Sequence, residues 1–60
     1  MYFNKPKTNK RVEDAKRRFL ECYDYILDVY DAGNFVEIVG RVGGDTITLR
    51  YYNDGNVYER

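Results

Sequence analysis

The stretch Phe35-Val36-Glu37-Ile38-Val39-Gly40-Arg41-Val42-Gly43-Gly44-Asp45-Thr46-Ile47-Thr48-Leu49-Arg50-Tyr51-Tyr52 reads as two strands joined by a tight turn. Gly43-Gly44 suits a two-residue hairpin loop, where both positions take a positive φ so that the turn matches the twist of the strands. With Val42 opposite Asp45, one face pairs Val36 with Tyr51, Ile38 with Leu49 and Gly40 with Ile47. The other face pairs Phe35 with Tyr52, Glu37 with Arg50, Val39 with Thr48 and Arg41 with Thr46. One register therefore gathers the apolar set on one side and sets an acid opposite a base on the other.

Downstream, Asn53-Asp54-Gly55-Asn56 is a second turn signal centred on Asp-Gly. A two-residue loop there puts Tyr58 opposite Tyr51 on the first face, and Val57 opposite Tyr52 on the second. Glu59 then meets Arg50, extending the charged row to Glu37–Arg50–Glu59. The predicted strands are 34–42, 45–53 and 56–60.

Upstream, the apolar period is helical over residues 9–32. At about 100° per residue, Val12, Phe19, Tyr23, Ile26 and Tyr30 point within about 40° of one direction. Thr8 or Asn9 suits the N-cap, and Gly33 the left-handed position that ends a helix. The opposite side of this helix gathers Glu21, Asp24 and Asp28, with Asp31 at its border and Tyr25 beside them. Asp28 and Asp31 would then lie at the negative end of the helix dipole, and Lys10 and Arg11 at its positive end, each placement unfavourable. The expected architecture is α+β: one N-terminal helix on a three-stranded antiparallel β-meander (α-β-β-β), in a single domain of residues 1–60 with a basic arm at 1–8.

Composition narrows the function. In sixty residues, ten basic and ten acidic side chains cancel. Residues 1–18 nevertheless carry a balance of +5, and residues 19–37 a balance of −5. One Cys, Cys22, forms no internal disulfide, and a chain without His offers no zinc constellation. Neither a metal nor a cofactor is expected. Cys22 itself is expected to be a small buried residue, since nothing nearby activates its thiol. No apolar run approaches the roughly 20 residues that span a bilayer, and Met1–Lys7 lacks a signal-peptide core. A cytoplasmic protein is expected, without membrane contact. No nucleophile elbow, phosphate loop or catalytic base appears, so the chain is expected not to be an enzyme.

A sixty-residue fold buries only about 60% of its unfolded surface, and with disulfide and metal excluded, a partner chain is the remaining staple. One helix covers one face of a sheet, which leaves Phe35, Val39, Arg50, Tyr52 and Val57 on the other. That second face is the candidate interface, for a homodimer or another partner; cover by Tyr2 and Phe3 is the alternative. Pairing through a free outer strand is a variant. Seven Tyr in sixty residues also fit a binding surface. The acidic face of Glu21, Asp24, Tyr25, Asp28 and Asp31 is expected to dock a basic, nucleic-acid-handling protein. The alternative is a nucleic-acid-binding regulator that contacts phosphates through Lys5, Lys7, Lys10 and Arg11.

The Lys/Arg-led helix, the Gly-Gly hairpin and the Asn-Asp-Gly turn before Val57-Tyr58-Glu59-Arg60 resemble the compact proteins that phages use against host defences, anti-CRISPR proteins among them. The likeness is one of size and style, spans the whole chain and contains no specific motif, so it assigns no residue a role. It implies a dimeric, cytoplasmic inhibitor that blocks a host defence or nucleic-acid-handling protein.

Overall fold

A computed structural model describes residues 10–60. Helix α1 (Lys10–Cys22) is followed by β1 (Tyr25–Asp31), β2 (Phe35–Val42), β3 (Asp45–Tyr52) and β4 (Val57–Glu59). The strands form one antiparallel sheet in the order β1-β2-β3-β4. The chain is thus an α+β fold with an N-terminal helix on a β-meander. The meander has four strands, where three were expected.

The difference lies in the second half of the expected 9–32 helix. The last helical bond runs from the Tyr23 N–H to the Phe19 carbonyl (2.9 Å), and the next residue, Asp24, already donates to Arg41 O on β2 (2.9 Å). Tyr25, Ile26, Val29 and Tyr30 are β-formers. Their helical look comes from a bulge: the β1–β2 register slips between Ile26 and Asp28, so Leu27 is an extra residue. Ile26 faces Gly40 and Val29 faces Ile38, both toward the core. Inward positions three apart imitate a helix, whereas a regular strand would space them by two. Gly33 accordingly does not cap a helix. It sits in the β1–β2 turn with φ +97°, its N–H donating to Asp31 Oδ1 at 2.9 Å.

The β2–β3 register agrees at every pair with that expected from the Gly43-Gly44 turn, whose glycines have φ +57° and +92°. The β4 register does not. Tyr52 N–H donates to Asn56 O at 2.8 Å, so the loop holds three residues, Asn53 to Gly55. Gly55 takes φ +96°, as a three-residue hairpin loop requires. The pairs become Arg50 with Tyr58 and Tyr51 with Val57. This one-residue slip exchanges the faces of Val57, Tyr58 and Glu59.

The core lies between α1 and the sheet. Ala15, Phe19, Val36, Ile38, Leu49 and Tyr51 are buried, with Val12, Tyr23, Ile26, Val29 and Ile47 packed around them. Phe19 has no exposed surface, and its ring lies directly over Gly40, where any Cβ would collide with it. The helix packs on β1 and β2. Arg18 closes the other flank, its guanidinium 5.4 Å from the centroid of the Tyr51 ring. Cys22, expected to be buried, is exposed at the helix end.

Candidate protein-docking face

Each strand sends alternate side chains to the side away from α1. On that side one cross-strand row runs Tyr30, Glu37, Arg50, Tyr58, from β1 to β4. Beside it lie the pair Phe35–Tyr52 and the row Asp28, Val39, Thr48. Among the described residues no element covers this face. Tyr30 is 63% exposed and Tyr58 55%.

The polar centre of the face is held in place from several sides. Arg50 Nε donates to Glu37 Oε1 at 3.1 Å, and Arg60 Nη1 to Glu37 Oε2 at 3.4 Å. The Arg50 guanidinium lies 4.8 Å from the centroid of the Phe35 ring, within range of a cation–π contact. Its hydrogen bond to Glu37 raises its pKa further above the ordinary value, against the opposing effect of desolvation. The rings interlock in turn: Phe35 and Tyr52 are 5.0 Å apart and tilted, and Tyr52 and Tyr58 meet edge-on at 5.4 Å. An aromatic arc around a fixed acid–base pair presents oriented donors, acceptors and apolar area with little side-chain freedom left to lose on binding.

Of the residues assigned to an interface from sequence, Phe35, Val39, Arg50 and Tyr52 share this face. Val57 does not: the β4 slip turns it to the helix side, opposite Tyr51, and Tyr58 takes its place. Tyr30 also joins, because β1 is a strand. Both Tyr58 and Tyr30 were missed. The local signal for Tyr58 was an Asn-Asp-Gly run long enough for a three-residue loop; for Tyr30 it was the turn sequence Asp31-Ala32-Gly33-Asn34.

The acidic helix face does not exist as such, because only Glu21 is on α1. Asp24 lies between helix and sheet, where its Oδ2 accepts from Gly43 N–H at 3.1 Å. Tyr25 and Asp28 belong to the open side of β1, opposite Arg41 and Val39. Asp31 is paired with Arg11 at 3.1 Å. The unfavourable dipole placements of Asp28 and Asp31 disappear with the second half of the helix.

The proposed phosphate-binding set is similarly divided. Lys5 and Lys7 lie outside the described residues, as do Tyr2 and Phe3, and Lys10 is exposed at the start of α1. Arg11 is engaged within the fold: besides Asp31 it donates to Asn53 Oδ1 and to Gly33 O, both at 2.8 Å. It ties the helix to the β1–β2 and β3–β4 turns together. Among the described residues no group of His, Cys, Asp and Glu side chains is placed to hold a metal ion, and no helix is long and apolar enough to cross a membrane. The chain matches no protein-family model, no curated protein and no solved structure.

Proposed function

We propose that this chain is a non-enzymatic protein-binding module, an inhibitor or adaptor, and that the open face of its sheet is a protein–protein interface. The observation that carries the reading is the ring of Tyr30, Phe35, Tyr52 and Tyr58 around the Glu37–Arg50 pair, on a face that the core does not use. Tyr and Arg are the residues enriched at the energetic centres of protein interfaces, because each offers broad contact area together with directed hydrogen bonds. The likeness to small anti-defence proteins supports trying a nucleic-acid-handling host protein first, and a reducing cytoplasm is the setting that suits a lone exposed thiol at Cys22. Direct nucleic-acid binding has less support. Arg50 and Arg60 already neutralise Glu37, Arg11 is held by Asp31, and Asp28 adds a further negative charge to the face.

Site-specific photo-crosslinking tests the reading whatever the occupant. A crosslinking phenylalanine analogue placed at Tyr58 should give a protein adduct in cytoplasm, and the same analogue at Arg17, on the outer surface of α1, should not. Adducts only to nucleic acid at Tyr58, or equal protein adducts at both positions, would overturn it.

A further inference from the structure

The order of side chains on the open face points to its occupant. From β1 to β4 the central row reads ring, acid, base, ring: Tyr30, Glu37, Arg50, Tyr58. The adjacent row reads Asp28, Val39, Thr48 and then Arg60, whose N–H donates to Thr48 O at 2.9 Å. In both rows the acid lies on the β1–β2 half and the base on the β3–β4 half. Arg41 departs from this division, but its guanidinium is turned to Gly44 O and Thr46 Oγ1 at the hairpin end.

We propose that this face is the interface of a homodimer whose two-fold axis runs parallel to the strands, between β2 and β3. The proposal rests on the reading of the face as a protein-docking surface and names its partner as a second copy of the chain. Such an axis lays each half of the face over the opposite half of the second copy. Glu37 then lies over the copy's Arg50, Asp28 over its Arg60, Tyr30 over its Tyr58 and Phe35 over its Tyr52. Glu37 and Arg50 keep their own bond and complete an alternating ring of four charges, which offsets their loss of water. The other in-plane axis, across the strands, stacks the acidic half on itself, and like charges in contact oppose association. The strand-parallel axis also keeps the strands of the two sheets aligned, as packed sheets prefer. Three spacings of about 4.8 Å and eight residues at about 3.4 Å give a footprint near 400 Å² per copy. Stable interfaces bury about 800 Å² per partner, so a face of this size makes a weak, reversible dimer.

Sedimentation equilibrium across micromolar concentrations tests the arrangement with the wild type, Glu37→Arg, Arg50→Glu and an equimolar mixture of the two variants. The wild type should dimerise. Each variant alone should associate at least about tenfold more weakly, because its central row carries two like charges that face two more. The mixture should recover dimers, since one variant's row then complements the other's. Circular dichroism establishes that the variants fold. Where one does not, Asp28→Lys and Arg60→Glu repeat the design at exposed positions on the rim of the face. A wild type that stays monomeric, a dimer indifferent to the single reversals, or a mixture that stays dissociated would overturn the proposal. If the wild type is monomeric while Tyr58 crosslinks to a different protein, the homodimer falls and the docking reading stands. If Tyr58 gives no protein adduct either, both fall.

Discussion

The two faces of the sheet are made from alternate residues of the same four strands, and they spend their aromatic side chains in opposite ways. Toward the helix, Phe19 and Tyr51 are sealed among Val36, Ile38 and Leu49. On the open side, Tyr30 and Tyr58 leave more than half their surface in solvent, while Glu37 and Arg50 occupy the centre, where a core would place aliphatic residues. Substitutions should therefore separate cleanly: changes on the helix face cost stability, and changes on the open face cost association.

The sharpest way to break the helix face is Phe19→Ala. It removes a ring with no exposed surface, and cavity formation at such sites costs about 3–5 kcal/mol. For a chain this small that is enough to abolish the cooperative transition in urea. Gly40→Ala attacks the same contact from the sheet side, since its methyl meets the Phe19 ring and the Tyr25 carbonyl. A cost of about 1–3 kcal/mol is expected from overpacking. A double-mutant cycle with Phe19→Leu should show coupling, because both changes act on one contact.

Tyr51 makes the helix face sensitive to alkali. Burial pushes its phenol up to about 12 from an ordinary 10.0, with the neighbouring Tyr23 adding and Arg18 opposing. Because the folded state disfavours the phenolate, this contribution to stability is fully present below pH about 10 and is lost as pH rises toward about 12. Tyr51→Phe should flatten that part of the pH–stability profile, measured by chemical denaturation. Arg11→Ala should cost about 1 kcal/mol, as expected for a network about one-third exposed, and the loss should shrink with added salt. Tyr58→Ala, on the open face, should lower the unfolding free energy of the monomer in urea by no more than about 1 kcal/mol, the order of one exposed aromatic pair, while weakening association. A large loss of stability there would erase the contrast between the two faces.

The inner and outer strands differ in how plainly the sequence announced them. On β2 every second residue from Val36 to Gly40 is buried, and β3 answers with Leu49 and Tyr51. With a Gly-Gly turn between them, a slip by one residue would expose the whole apolar set, so the alternation admits one register. On β1 only Ile26 and Val29 reach partial burial, and on β4 all three residues are exposed. Outer strands with so little buried surface constrain their own reading weakly. A bulge at Leu27 was enough to make β1 look helical, and one additional loop residue was enough to exchange Val57 with Tyr58. The candidate site shared that fate. Phe35, Val39, Arg50 and Tyr52 lie on inner strands and were found, whereas Tyr30 and Tyr58 lie on outer ones and were missed.

Local pattern and turn chemistry thus settled the β2–β3 hairpin, its register and which side chains of those two strands lie on the face away from the apolar set, because each depends on neighbours close in sequence. The end of the helix at Cys22, the fourth strand and the final membership of the open face were settled by packing. Residues 25–31 offer apolar side chains that fit either a helix or a bulged strand. The edge of β2 supplied the backbone partners, and the space over Gly40 admitted Phe19 from α1. Both lie too far along the chain for a local pattern to register.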